Sequence, residues 1–281
     1  MRRTYIMPLL ILTSSVMLMS CKKKQDDTDL SGIHTTAQAQ KETMAAATSA
    51  PVEVTTAAET TKAAQEAETG SDGALANVSA DIETFQDSSA GSVSIQYPVV
   101  SNLSDPQTQK AVNELLFNNA TAIAGFVTKE GPGTIDITCK VISVDRSRLT
   151  AVYKGTAQAQ GSAYPTNVFY TNTVDLKQVK SLGFNDYSDA YTMAGYLMSD
   201  DVEFYQAAPE LTQALLNHRA SMSVEQYTQI FDQADFPLSS QEGASFPESF
   251  SYTHEGVLYF SIPVPHALGD YAIVTFNIDG K

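Results

Sequence analysis

Two cysteines, four histidines and a set of tyrosines are the residues here whose types could do chemistry. Cys21 ends an apolar run, Tyr5 to Met19, that follows Arg2 and Arg3, and Lys22, Lys23 and Lys24 come directly after it. A free thiol beside such a run is an odd thing to keep. Cys139 lies in the strand-like run TIDITCKVISV. One further thiol makes no internal disulfide and no cysteine-rich metal site. A core cysteine is the expectation, because a catalytic thiol needs an exposed position and a basic partner. His34, His218, His254 and His266 are far apart, and no pair has ligand spacing, so no metal and no cofactor are expected. The chain has no Gly-x-Ser-x-Gly elbow, phosphate loop or zinc-protease helix, and no catalytic residue is assigned. Asp200, Asp201 and Glu203 follow a helical stretch. A glycosidase-type carboxylate pair could hide among the acids, but a solvated loop is the plainer reading.

The aromatic residues offer a binding chemistry instead. Tyr164, Phe169 and Tyr170 belong to or follow the turn SAYP, and Tyr187 and Tyr191 lie four apart on the next helical stretch, which puts them on one face. These five are the candidate ligand-binding residues. Tyrosine is enriched in binding patches; the competing expectation is that the rings pack helix on sheet. The absence of tryptophan weakens a sugar-stacking version of the idea.

The surrounding chain must carry these residues. The apolar run is about 15 residues, short of the roughly 20 that span a bilayer, and has the layout of an export signal. Leu18-Met19-Ser20-Cys21 resembles a lipobox, the processing site of bacterial lipoproteins. That resemblance implies a signal peptide over 1–20, lipid on Cys21, and a mature chain that begins there on the extracellular face of the cytoplasmic membrane. The three lysines would lie at the headgroups and gain roughly 1 kcal/mol each near anionic lipid. An ordinary secretory signal with a chance cysteine is the alternative.

Residues 21–91 are rich in Ala, Thr, Glu, Gln and Ser, with Phe85 as the sole aromatic. Such a composition buries too little apolar surface to offset ordering entropy. A disordered tether is expected, with a reach of roughly 45 Å. Residues 92–281 hold 10 basic and 20 acidic residues, a balance of −10 within a total of −15. That balance excludes nucleic acid as a partner and suits a basic one.

Within 92–281 the expected class is α+β, an antiparallel sheet packed with several helices, in one domain or two closely packed subdomains. SVSIQYPVV alternates as a strand does. SDPQTQKAVNELLFNNATAIAGFV repeats apolar residues every four positions, opened by a Ser104/Gln107 capping box. TIDITCKVISV and RLTAVYKGTAQ form a hairpin about Asp145–Ser147, and NVFYTNTVDL is the next strand. NDYSDAYTMAGYLMSD, APELTQALLNHRA and SVEQYTQIFDQA are helical; SFSYTHEGVLYFSIP and YAIVTFNI return to strands.

YPVVSNLSDPQTQKAVNELL, SAYPTNVFYTNTVDLKQVKSL and FSYTHEGVLYFSIPVPHALGDYAIVTFNI together resemble a bacterial extracellular domain family of unknown function. It is seen in the anti-sigma factor RsiV and ahead of the catalytic domain of the peptidoglycan deacetylase PdaC. The family's histidine before proline is Tyr164 here and its turn glycine is Val179, so no role of that histidine is carried over. The resemblance implies a cell-surface binding domain, since RsiV binds lysozyme through such a domain. The expected function is therefore a lipid-anchored, non-enzymatic domain for a basic, lysozyme-like protein or a cell-wall glycan. A cell-envelope hydrolase or accessory enzyme with an unrecognised carboxylate site is the alternative.

Overall fold

The computed structural model describes residues 77–240 and 243–278. The expected signal peptide, Cys21 and the tether up to residue 76 lie outside the described residues. The last part of the expected tether lies inside them and is a strand. Ser79–Asp87 forms β1, paired antiparallel along its whole length with β2, Gly91–Ser101. The boundary expected at Gly91 therefore moves toward the N-terminus. Phe85 is the reason: its ring meets Phe117 edge-on at 5.6 Å. The Tyr97 hydroxyl also donates to Glu83 Oε2 at 2.8 Å. A polar composition hides that one ring and the pairing with β2 that hold the strand. Gly91 turns the chain with φ +123°, and a Cβ there would lie 2.0 Å from the Gly133 carbonyl oxygen, so only glycine fits.

Helix α1, Pro106–Val127, buries Val112, Leu116, Ala120 and Ile123, the stripe that the four-residue repeat requires. Its cap is Asp105 rather than Ser104. The Asp105 carboxylate accepts from the Gln107 and Thr108 amides at 3.3 and 2.9 Å. Hydrogen bonds from Thr108 lead in holding its carboxyl below the usual range. The next strands are β3 Gly133–Val144, β4 Arg148–Gln158, β5 Thr166–Asp175 and β6 Lys180–Leu182. The six strands lie in sequence order in one sheet. All pairs are antiparallel except β2 with β3, the pair that α1 connects as a crossover.

The expected helix over NDYSDAYTMAGYLMSD is broken into α2, Phe184–Tyr187, and α3, Ala190–Met198, because Asp189 caps α3 by accepting from the Thr192 amide at 2.8 Å. A short strand β7, Glu203–Phe204, precedes α4, Pro209–Arg219, and α5, Val224–Asp232. Then come β8 Ser251–His254, β9 Val257–Pro263, a 3-10 turn at His266–Leu268 and β10 Tyr271–Asn277. These strands make a second sheet in the order β7-β10-β9-β8. The fold is thus α+β with two sheets.

There are two cores, and one face of the smaller sheet contributes Tyr252 and Ile273 to the first. One gathers Ile95, Leu116, Ile137, Tyr153, Tyr170 and Phe250; the other gathers Phe184, Leu197, Phe231, Phe260 and Val274. Asp235, buried between α5 and β8, ties them together. Its carboxylate accepts from the Ser251 amide at 2.7 Å, the Phe184 amide at 2.8 Å and the Ser251 and Thr171 hydroxyls. Burial pushes this carboxyl up to about 7, against the pull of those donors. No helix among the described residues is long and apolar enough to cross a membrane.

Candidate functional site

The five candidate aromatic residues do not converge on one surface. Phe169 and Tyr170 are core: Tyr170 is 0% exposed, and its hydroxyl donates to the Ala120 carbonyl at 2.7 Å. Tyr170 points at α1, and Phe169, on the opposite face of β5 and 6% exposed, stacks on Tyr271 at 5.2 Å; for these two the core expectation holds. Tyr187 is half-buried, and burial pushes its hydroxyl up to about 12. Tyr191 is 62% exposed on α3. Tyr164 is 65% exposed and stacks on His266, with centroids 5.4 Å apart and planes at 7°.

A different tyrosine set lies together on the second sheet. Tyr252 of β8 faces Tyr259 of β9 across the hairpin, the rings stacked at 4.7 Å and 6°. Tyr205 meets Tyr259 edge-on at 5.3 Å and 87°. Exposure rises along the group, from 8% at Tyr252, through half-buried Tyr259, to 40% at Tyr205. In register, Tyr259 lies opposite Thr275 of β10, and Thr275 lies opposite Glu203 of β7. Cross-strand partners share a face, so Glu203, Thr275, Tyr259 and Tyr252 form one row across the sheet.

The backbone around Tyr205 is well pinned. Its amide donates to the Ile273 carbonyl at 2.8 Å. The Tyr196 hydroxyl donates to the Thr275 carbonyl at 2.9 Å and accepts from the Glu203 amide at 3.2 Å. Tyr196 thus fixes the two residues ahead of Tyr205 from the α3 side. Beyond Tyr205 opens a cleft of about 170 Å³, lined by Lys154, Tyr205, Leu211, Leu268 and Tyr271 among others. Leu211 is 36% exposed at its rim. A cleft of this size takes one side chain rather than a whole small molecule, which needs about 300 Å³ or more.

The row carries acids and neutral phenols, while Lys154 brings one cation to the cleft beyond Tyr205. Glu203 is exposed at one end of the row, and Glu255 is exposed in the turn between β8 and β9. Burial chiefly raises the Tyr259 hydroxyl, with Tyr205 and Glu255 adding to it. That hydroxyl is a donor at neutral pH. Rings with acidic neighbours favour cations, through the ring face and through the carboxylates. The signal for Tyr252 and Tyr259 was in the sequence: they stand symmetrically about Glu255–Gly256, so a two-residue hairpin turn there makes them neighbours. Tyr205 follows irregular chain and has no periodic signal.

Other reactive groups are occupied. Asp200 lies 3.9 Å from Arg219, whose guanidinium also donates to the Leu197 and Ser199 carbonyls at the end of α3. Cys139 is half-buried, and burial pushes its thiol up to about 12, so it stays a neutral thiol. His266 Nδ1 lies 2.9 Å from Asp270 Oδ1, and Asp270 Oδ2 accepts from the Asn167 amide and side chain at 2.7 and 3.0 Å. That arrangement joins the start of β5 to the loop before β10. Among the described residues no group of three His, Cys, Asp or Glu is placed to hold a metal ion.

No family model matches the chain. No curated protein matches it. Among solved structures the chain is similar to a member of the DUF3298 family from Bacteroides fragilis. The identity is 10%, over 70% of this chain and 90% of that chain, with a TM-score of 0.41. It is also similar to a DUF3298 family protein from Pseudomonas aeruginosa, at 12% identity over 68% of this chain and 84% of that chain, with a TM-score of 0.30.

Proposed function

We propose that this is a lipid-anchored protein of the bacterial cell surface whose folded part is a non-enzymatic binding module for a basic protein, lysozyme-like in charge. The observation that carries the reading is the Tyr205 face: an exposed ring held rigidly between an acid-flanked tyrosine stack and a one-residue cleft. Rigid aromatic anchors beside a small pocket are where protein interfaces concentrate their energy. The balance of −10 over residues 92–281 adds long-range attraction to a basic partner. The lipobox resemblance of Leu18 to Cys21 supports the anchor, and the resemblance to the RsiV and PdaC extracellular domains supports the location.

The test is calorimetry with the full-length chain and several basic cell-wall-active proteins, lysozyme first, at low and at physiological salt. Binding that slows in onset as salt rises, and that Tyr205→Ala weakens about tenfold without lowering the melting temperature, is the expected result. No heat with any basic protein would remove this reading. The anchor is tested apart: Cys21→Ala should release the protein to the medium or leave an uncut precursor, and unchanged membrane fractionation would refute lipidation.

A further inference from the structure

The two sheets have four outer strands, and they are very unequal. β6, β7 and β8 are three, two and four residues long, whereas β1 has nine. Short edges are one way a fold avoids unwanted strand pairing. β1 lacks that protection. Among the described residues it pairs only with β2, so every second backbone N–H and C=O along it faces outward without a strand partner. The strand is firmly held for all that, by full-length pairing with β2, by the Phe85–Phe117 contact and by the Tyr97–Glu83 hydrogen bond.

Its chemistry selects the occupant. Ile82, 42% exposed, stands between Asp81 and Glu83, with Asp87 at the end of the strand. Neither β1 nor β2 carries a lysine or arginine. A second copy of this edge would bring carboxylates against carboxylates, so the charge pattern opposes self-pairing. An incoming strand with cations opposite Asp81 and Glu83 and an apolar residue opposite Ile82 is matched at all three positions, since opposite charges directly across a ladder attract and like charges repel.

We propose that β1 is a strand-addition site that takes an extended, alternating basic–apolar segment of a partner protein as a seventh, antiparallel strand of the larger sheet. Main-chain hydrogen bonds supply the attachment and the Asp81–Ile82–Glu83 triplet supplies the choice. No residue of the Tyr205 face takes part, so the site stands independently of the function proposed above.

The experiment uses the full-length chain and three labelled eight-residue probes: alternating Lys-Val, the same peptide N-methylated at alternate residues, and alternating Glu-Val. Anisotropy measures affinity, and amide exchange followed by NMR reads residues 79–87. The Lys-Val peptide should bind and slow exchange at the outward β1 amides. N-methylation, which removes alternate donors, should weaken it at least about tenfold. The double change Asp81→Lys and Glu83→Lys should reverse the preference to Glu-Val, by about tenfold in each direction. If that variant melts early, Asp81→Lys alone should halve the preference on a logarithmic scale. The slowed exchange at the β1 amides should persist in Tyr205→Ala. Equal binding of the N-methylated peptide would overturn the proposal in favour of charge attraction alone. Outward amides already protected in the free protein would overturn it in favour of an edge covered by the chain's own preceding segment. An unchanged preference after the charge swap would place the peptide elsewhere.

Discussion

Two tyrosine pairs in this molecule have nearly the same geometry and opposite surroundings. Tyr153 and Tyr170 stack at 4.4 Å and 3°, both fully buried between the larger sheet and α1. Tyr252 and Tyr259 stack at 4.7 Å and 6°, and the second ring leads on to exposed Tyr205. Ring geometry therefore says nothing about role. What differs is what lies above the rings. α1 covers the first pair, and Tyr170 spends its hydroxyl on the Ala120 carbonyl. On the second pair the row runs outward to half-buried Thr275 and exposed Glu203. The first pair should carry stability and the second binding, and substitutions can set them apart.

The largest effect belongs to the buried pair. Tyr170→Ala should destabilise the fold by about 3–5 kcal/mol, the range for emptying a large aromatic site in a core. Tyr170→Phe keeps the ring and loses only the bond to Ala120, so about 0.5–1.5 kcal/mol is expected. Urea titration of both variants gives the difference. A Tyr170→Ala protein as stable as the parent would mean that the pair does not carry the core.

Asp235 comes next, because it links the two cores. Its carboxyl has a folded value of about 7, above the ordinary 3.8. Between about pH 4 and pH 7 the native state keeps a proton that the unfolded chain has released, so stability should fall as pH rises through that window. The slope is about 1.4 kcal/mol per pH unit at most. Asp105, Asp145 and Asp189 are held below the usual carboxylate range by hydrogen bonds. Their contribution is lost only as pH falls below about 4, outside the window. Asp235→Asn should flatten the slope while costing about 1–3 kcal/mol at low pH, since an amide cannot accept from all four donors. A pH profile of melting temperature for parent and variant reads both. A parent profile flat from pH 4 to pH 7 would contradict the raised value.

Much of the fold was legible in the sequence, and the reasons are local. The α1 stripe and the Asp145 hairpin rest on short-range patterns that the structure keeps. β1 was not legible, because a polar composition hides the one ring, Phe85, and the pairing with β2 that hold it. The division into two sheets was not legible either. It depends on which strands meet across the chain, and no residue spacing records that. The aromatic surface was half legible. Its ingredient, tyrosine, was evident, but Phe169 and Tyr170 fell in the core because β5 is covered on both faces, by α1 and by Tyr271, which its spacing does not record. Tyr205 owes its position to β7, which pairs with distant β10 through Glu203–Thr275 and Phe204–Val274 and whose Glu203 amide donates to Tyr196.

The exposed tyrosines carry the smaller predictions. Tyr205→Ala should leave stability within about 0.5 kcal/mol of the parent, as surface changes away from special features do. Its effect should fall on the dissociation rate of a bound basic protein. Loss of stability without loss of affinity would return this ring to the same class as Tyr170.

Tyr164 should have the least effect of all, and it decides where the binding surface ends. It is more exposed than Tyr205 and stacks on His266, yet the hydrogen bonds beneath do not depend on it. Asn167 donates its amide and side chain to Asp270 directly, and His266 pairs with the same carboxylate. Removing the Tyr164 ring leaves these contacts in place, so Tyr164→Ala should change stability by no more than about 0.5 kcal/mol. If the partner sits on Glu203, Tyr205 and Tyr259 alone, affinity should be unchanged too, because Tyr164 belongs to neither that row nor its cleft. A loss equal to that of Tyr205→Ala, with an intact melting curve, would extend the surface to the SAYP turn. A loss confined to low salt would instead be a rim effect, since rim contacts act mainly on the association rate. Binding kinetics at two salt concentrations, run on the two single variants and the double variant, separate these outcomes: effects that add mark separate contacts, and effects that do not add mark one continuous surface.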